Sequence, residues 1–156
     1  MPNVVTDFNL ANDTDTQAEL VAQLPAALRA DLGAIDMDGP VGASFVVNAE
    51  GGDAIAVDVT LVDMNSAAMT EPCMVNCYLA DDATGLTPTA AVPSASGVVS
   101  VGAEVFQYIA QGGWFIVSDA TGEFTLTLGE AGAGTWYLVV VMPDGTLVIS
   151  GAITFA

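Results

Sequence analysis

The chain has 156 residues, enough for one domain of ordinary size or for one domain with an arm, and its charge is one-sided. It carries 19 acidic side chains against a single basic one, Arg29, and no Lys or His, for a net charge of −18. Nucleic-acid binding and attachment to an anionic membrane both depend on Lys and Arg, so neither partner is expected. His-based triads, His metal clusters and Lys nucleophiles are excluded too, and we expect no enzyme.

The apolar content is high, at 53% of residues and a mean hydropathy of +0.58. No stretch approaches the roughly 20 apolar residues of a transmembrane helix, and the start of the chain lacks the basic and apolar regions of a signal peptide. The apolar residues are mostly Val and Ala, accompanied by many Thr and 16 Gly. This composition is typical of β-sheet with Gly-rich turns.

Residues 1–40 are predicted to be a docking segment. Residues 1–15 show no clean hydrophobic period and are interpreted as an extended arm. The short helix that follows is expected to begin at a capping box formed by Thr16 and Glu19 and to end near Gly33.

The predicted helix carries one apolar stripe, because its leucines recur every four residues. Pro25 interrupts the pattern and either kinks the helix or begins a second short one. The stripe fits either ordinary core packing or a partner-binding face, and Arg29 fits either a surface charge near the helix end or a pair with an acid across an interface. The residues expected to contact a partner are Phe8, Leu10, Leu20, Leu24, Leu28 and Arg29.

From residue 44 the hydrophobic period changes to two, which is typical of strands. Four segments alternate clearly, and each is expected to point one set of side chains into a core. These sets are Ile55, Val57, Val59 and Leu61; Cys73, Val75, Cys77 and Leu79; Phe124, Leu126 and Leu128; and Trp136, Leu138, Val140 and Met142. Further strands are predicted at 44–49, 97–101, 104–109, 113–118 and 146–156. Seven to nine strands in succession, the last with a bulge at Gly151, predict an all-β, immunoglobulin-like β-sandwich over residues 41–156.

Three features of the predicted sandwich bear on function. Residues 134–142 are apolar on both faces, so this strand is either central and covered twice or turns one face to a neighbouring subunit. Residues 81–97 form a long loop of turn-forming residues, and such loops are usually functional or mobile. Cys73 and Cys77 would lie about 13 Å apart along a strand, too far for a disulfide, so two reduced buried thiols are expected, as in a reducing cytoplasm.

Carboxylate pairs are the candidates for glycoside hydrolysis or for binding calcium. They are Asp13 with Asp15, Asp36 with Asp38, and Asp81 with Asp82. All fall in polar, turn-like stretches with no apolar wall to raise a carboxyl pKa, so catalysis is not expected. The last two pairs suit a structural Ca²⁺ better than they suit catalysis, but residues 36–39 lack the Glu and the length of a calcium loop, and no metal or cofactor is predicted.

Aromatic residues near predicted strand edges suggest a second kind of site. Tyr78, Tyr108, Trp114 and Tyr137 have rings that could stack on sugars. The same rings also fit the interior of a sandwich or a contact between subunits, and these interpretations are favoured.

The region between residues 118 and 145 resembles bacterial immunoglobulin-like domains. Asp119–Gly122 supplies a D-x-x-G turn, and Gly134–Tyr137 opens the next strand in the manner of their A-G-x-Y motif. The aromatic pair suits a core anchor, and the Gly-rich turn suits a chain that crosses between sheets. This likeness implies the fold and says nothing about a ligand.

A longer region, residues 44–156, resembles immunoglobulin-like proteins of tailed bacteriophages. The motifs that carry the likeness are YLADDATG at Tyr78–Gly85, SGVVSVG at Ser96–Gly102, DATG at Asp119–Gly122, and the run from Thr135 to Ala156 that begins TWYLVVVMPDG. A helical leader before the sandwich is also similar. The acidity departs from the mixed charge of such proteins and is typical of a saline environment.

The resemblance implies a structural virion protein, namely a capsid decoration or cement protein that binds the outside of the major capsid shell and stabilises it. Residues 1–40 would dock on the shell or on a sister subunit, and the repeating lattice would multiply a weak single contact. The implied partners are the major capsid protein and further copies of this chain, with a trimer as one arrangement. The implied location is the capsid exterior, after assembly in the host cytoplasm.

Two other functions stay open from the sequence. In one, the loop 81–97 and nearby Tyr and Trp side chains bind host surface glycans, as a head or tail adhesin does. In the other, the chain is a low-copy component of the tail or neck.

Overall fold

The computed structural model describes residues 39–156, which form two antiparallel sheets facing each other across a common core. The strands are β1 (Gly42–Val47), β2 (Ala54–Val62), β3 (Met74–Ala80), β4 (Ala95–Val101), β5 (Ala103–Ile109), β6 (Gly113–Val117), β7 (Glu123–Gly129), β8 (Gly134–Val141), β9 (Leu147–Ile149) and β10 (Ile153–Phe155). The predicted arm, the predicted helix and the docking residues Phe8, Leu10, Leu20, Leu24, Leu28 and Arg29 lie outside the described residues.

The alternation in the sequence determines which side of each strand is buried. In β2 and β7, every second side chain enters the core and its neighbours face outward. All four inward sets predicted from the sequence are buried, including those led by Ile55 and Trp136. Because both sheets contribute such sets, the space between them is filled by apolar side chains.

The strand order is that of an immunoglobulin-like sandwich. One sheet has the order β1-β2-β7-β4 and the other has β10-β8-β3-β6-β5, with β9 also paired to β8. The chain crosses between the sheets five times, first from β2 to β3 and last from β7 to β8. The central strands are β2 and β7 in the first sheet and β8, β3 and β6 in the second. The order in which strands are added along the chain differs in one respect from that of a variable-type immunoglobulin domain. Here β4 joins the four-stranded sheet first, and only then does the β5–β6 hairpin extend the six-stranded sheet.

The last predicted strand is split in two. Both β9 and β10 pair with β8, β9 along Val139–Val141 and β10 along Gly134–Trp136. Between them the Ser150 hydroxyl accepts from the Leu138 backbone N–H at 2.9 Å and donates to the Gly151 carbonyl at 2.8 Å. This interruption lies where a bulge was predicted, and it is why the described residues form ten strands where at most nine were predicted.

The sequence DATG occurs twice, at residues 82–85 and 119–122, and folds in the same way both times. In each copy the Thr backbone N–H and hydroxyl donate to the Asp carboxylate, and the Gly N–H donates to the Asp carbonyl at 3.2 Å. The glycine φ is +69° at Gly85 and +74° at Gly122, a conformation that glycine adopts without strain. The predicted D-x-x-G turn is therefore confirmed.

Candidate protein-binding face

Three aromatic side chains form a cluster on the outer surface of the six-stranded sheet. The rings of Phe106 on β5 and Phe115 on β6 stack with centroids 4.9 Å apart. Tyr108 meets Phe115 at 5.4 Å and Phe106 at 6.5 Å. Phe106 is 51% exposed and Tyr108 is 39% exposed, so the cluster is held together by its own contacts while still open to solvent.

Irregular pairing of the edge strand β5 positions these rings. Phe106 lies opposite Phe115 on β6. The register with β6 shifts once between Glu104 and Phe106 and again between Gln107 and Ile109. Such bulges turn successive side chains away from strict alternation. Phe106 and Tyr108 are two residues apart and share the outer face, whereas the shift before Phe106 leaves Glu104, which pairs with the buried Ile116, on the inner side.

Tyr108 is fixed by a glycine and by hydrogen bonds to the next strand. A Cβ on Gly113 would lie 2.7 Å from the Tyr108 Cζ, so only glycine leaves room for the ring at this place. The Tyr108 hydroxyl donates to Asn76 Oδ1 at 2.7 Å and lies 3.2 Å from the Cys77 carbonyl oxygen. Partial burial raises the pKa of the Tyr108 phenol, so the hydroxyl remains a donor at neutral pH.

The cluster continues across the sheet as a wider apolar surface, which we call the aromatic face. Directly paired residues share a side of the sheet, so Phe115, Asn76 and Val141 form one row and Val117 and Met74 form the next. The aromatic face comprises Met74, Asn76, Phe106, Tyr108, Phe115, Val117, Val141 and Leu147. It contains no side chain that is charged at neutral pH.

The loop after β3 covers the rest of this sheet surface. The Tyr78 hydroxyl donates to the Gly85 carbonyl at 2.7 Å, and Gly85 packs against Val139 and Ile149. Val139 is fully buried as a result. The strand with two apolar faces is therefore central and covered twice at Val139, whereas Val141 belongs to the aromatic face.

Negative charge lies at both ends of the aromatic face. Asp82 follows β3 and Asp144 follows β8, and because these strands are antiparallel the two residues lie at opposite ends of the sheet. Hydrogen bonds from Thr84 and Thr146 lower the pKa of Asp82 and Asp144 respectively, so both are ionised at neutral pH. Residues 39–156 contain no Lys, Arg or His, so every other charged side chain of this part is also acidic.

The aromatic candidates from the sequence separate into different environments. Trp114 is completely buried, and Gln107, with its amide oxygen oriented to accept, receives the indole N–H at 2.7 Å. Tyr78 and Tyr137 are partly buried, and Tyr108 alone of the four belongs to the aromatic face. Phe106 and Phe115 were not singled out from the sequence. The sequence did hold one indication of this surface: segment 104–109 has large apolar or aromatic residues on both sides of the strand, and the core can cover one side only.

The long loop is anchored at several points. The Trp136 indole N–H donates to the Ala91 carbonyl at 2.7 Å, and the Ser94 backbone N–H donates to Glu130 Oε2 at 2.7 Å. The loop ends at Ser94, because β4 begins at Ala95, two residues before the predicted strand.

The described residues include no group of three or more potential ligands that could hold a metal ion. Asp82 is the first residue of the DATG turn and Asp81 precedes it, whereas Asp13, Asp15, Asp36 and Asp38 precede the described residues. Cys73 and Cys77 are both buried, as predicted, and burial raises the pKa of the Cys77 thiol well above its ordinary value. No helix in residues 39–156 is long and apolar enough to cross a membrane.

Comparison with known proteins gives one structural likeness. No protein-family model and no curated protein matches the chain. Among solved structures, the chain is similar to the D00–D0 domain of intimin, with a TM-score of 0.42 and 16% sequence identity. The match covers 78% of this chain and 49% of that one, so the chain spans about half the length of the structure it resembles. The strand order and core described above define the fold as immunoglobulin-like.

Proposed function

We propose that this chain is a structural protein that acts by binding other proteins, and that its place is the outside of a tailed-phage capsid, as a decoration or cement protein. The observation that carries the proposal is the aromatic face, an exposed apolar surface on a domain whose charged side chains are all acidic. The resemblance of residues 44–156 to phage immunoglobulin-like proteins supplies the setting.

The physical chemistry of the aromatic face suits a protein partner. Contiguous exposed apolar surface on a soluble domain commonly marks a binding site, and aromatic residues are enriched at such sites. Phe106 already stacks on Phe115, and Tyr108 is already hydrogen-bonded to Asn76. Binding would therefore cost little side-chain entropy, because these rings are ordered in advance.

The same geometry suits a sugar less well. A glycan site needs polar groups beside the rings to hydrogen-bond hydroxyls. Here Asn76 Oδ1 already accepts from Tyr108, and the Gln107 amide oxygen, oriented as above, accepts from Trp114. A protein surface with apolar side chains of its own is the better match.

In this proposal residues 1–40 bind the major capsid protein through Phe8, Leu10, Leu20, Leu24, Leu28 and Arg29, and the sandwich projects from the shell. A weak contact is enough if the shell repeats the site many times. The acidic surface would keep decorated particles apart in solution.

The test is the copy number of this chain per purified virion, measured against the major capsid protein by quantitative mass spectrometry. Arg29 offers the only tryptic site, so the digestion should use a protease that cleaves after Glu. We expect a copy number comparable with that of the shell protein. A handful of copies would move the chain to the tail or neck, and its absence from the particle would overturn the proposal.

A pair of substitutions separates the decoration role from the adhesin role. Phe106→Asp places a charge in the aromatic face, and Leu86→Ser changes an exposed side chain of the loop. If the chain is a cement protein, Phe106→Asp should lower the temperature at which particles release DNA, and Leu86→Ser should leave attachment to host cells unchanged. If Leu86→Ser instead abolishes attachment and Phe106→Asp leaves particle stability unchanged, the adhesin role is supported.

A further inference from the structure

We propose that the aromatic face binds the same face of a second copy of this chain. The inference rests on the proposed protein-binding role and names the partner. It predicts an isologous contact, in which two copies related by a two-fold axis bury the same residues on each side.

Charge is the first argument for a second copy at this face. Each chain carries a net charge of −18, so two copies repel wherever their carboxylates approach each other. The outer face of the other sheet carries Asp58 and Glu123, and the connecting turns carry Asp82, Asp119 and Asp144. The aromatic face has no carboxylate, so it is where two such chains can approach with the least repulsion.

Self-complementarity is the second argument. A surface that binds its own copy must fit itself, and an uncharged sheet face with ordered rings meets that requirement because like meets like without repulsion. A two-fold axis running across the strands would set the Phe106 and Phe115 rings of the two copies against each other. It would also keep apart the two loops that contain Gly85, since each stands at one end of its sheet.

Salt dependence gives the contact a distinctive signature. Contacts between an acidic protein and a basic partner weaken as salt screens their attraction. Contacts between two acidic copies through an apolar face should strengthen, because salt screens the repulsion between the surrounding carboxylates and leaves the buried apolar contact intact.

The experiment is sedimentation equilibrium of the full chain, at low salt and at about 1 M salt, where the Debye length is about 3 Å. We expect dimers whose dissociation constant falls as salt rises. Phe106→Asp should raise the dissociation constant more than about tenfold, because it buries a charge in an aromatic contact.

The matched control is Val46→Asp. Val46 is 59% exposed on the outer face of the four-stranded sheet, against 51% for Phe106, so both variants add one carboxylate at an exposed apolar position. Val46→Asp should leave the dissociation constant within about twofold of wild type. Phe106→Ser, which adds no charge, covers the case in which Phe106→Asp fails to fold by circular dichroism.

Two results would overturn the inference. One is a wild-type chain that stays monomeric at every salt concentration tested, which would assign the aromatic face to a different protein. The other is self-association that Phe106→Asp and Phe106→Ser leave unchanged. Neither result depends on the copy number in virions. A chain that dimerises but is absent from particles would overturn the capsid proposal alone. A chain that is abundant in particles but monomeric in solution would overturn this inference alone.

Discussion

The outer face of the four-stranded sheet and the aromatic face of the six-stranded sheet have opposite chemistry. On the first, Asp58 accepts hydrogen bonds from Thr125 at 2.6 Å and from Asn48 at 2.8 Å, with Thr60 and Thr127 in the same surface. On the second, the corresponding positions hold Phe, Tyr, Val, Leu and Met, together with Asn76. Both sheets contribute apolar side chains to the core through their inner faces.

The difference separates what folding requires from what it does not. A β-sandwich needs one apolar side per sheet, which forms the core. The four-stranded sheet shows that the opposite side can be polar and solvated in this domain. The aromatic face goes beyond that requirement and adds exposed apolar area that folding alone does not explain. The proposed binding role would account for it.

The largest expected effect comes from two neighbours on β6 that point to opposite sides. Trp114→Ala removes a completely buried indole and its hydrogen bond with Gln107, and should lower the free energy of unfolding by about 3–5 kcal/mol. Phe115→Ala removes a partly exposed ring of the aromatic face and should cost about 1–2 kcal/mol. Urea denaturation measures both, and equal losses would contradict the assignment of sides.

A second prediction concerns the glycine beneath Tyr108. Gly113→Ala forces a methyl group against the ring, so Tyr108 must leave its place or the strands must separate, at a cost of about 1–3 kcal/mol. The near-ultraviolet circular dichroism of tyrosine should change as well. The control is Gly51→Ala, where nothing lies within 4 Å of the added methyl group. A Gly113→Ala protein as stable as that control would show that Tyr108 is not held as described.

On the polar outer face, Asp58→Ala tests the hydrogen bonds that make it polar. The substitution removes the acceptor for Thr125 and Asn48 and should lower the free energy of unfolding by about 1 kcal/mol. The same equilibrium unfolding measurement applies, with Thr125→Val as the partner variant. If the network acts as a unit, the double variant should cost less than the two single losses added together.

The contribution of Asp58 should depend on pH in a known direction. The hydrogen bonds from Thr125 and then Asn48 lower its pKa from the ordinary value of 3.8. Its stabilising contribution is therefore fully present above that value and is lost as pH falls through the lower folded-state pKa. The stability difference between wild type and Asp58→Ala should be constant from about pH 7 to pH 5 and shrink below pH 3.8. A stability difference that grows on acidification would mean that folding raises the pKa of Asp58, contrary to the hydrogen bonding described.

The smallest effect is expected at Val46, also on the four-stranded sheet. Val46→Thr replaces an exposed apolar side chain with one of similar shape and strand preference, and should change stability by less than about 0.5 kcal/mol. It should leave sedimentation unchanged. A marked effect on association would show that the polar face also takes part in binding.

Much of the sandwich was predictable because strict alternation determines burial. In segment 123–129 the apolar side chains Phe124, Leu126 and Leu128 all lie on one side. In segment 54–62 Asp58 and Thr60 interrupt the outward side, so both segments leave one choice of inner face. The DATG turn was predictable for a similar local reason, since Asp, Thr and Gly each supply a specific turn contact.

The aromatic face was not predictable, because its strands are apolar on both sides. In the segment 104–109 the residues Val105, Gln107 and Ile109 alternate with Phe106 and Tyr108, so period alone cannot decide which set faces the core. The two register shifts in β5 then break the alternation altogether. The covering of Val139 by the loop at Gly85 is a tertiary contact with no local signal. The predicted roles of Phe8, Leu10 and the leucine stripe stay predictions.

The edges of the six-stranded sheet bear on the proposed role, in which many copies would be crowded on one shell. One edge is divided between β9 and β10 at Ser150, and the other, β5, is distorted by two register shifts. Unbroken edge strands offer rows of unpaired amides that recruit further strands and begin fibrils. With both of its edges interrupted, the six-stranded sheet is protected against extension by the same sheet of a neighbouring copy, even where copies lie close together.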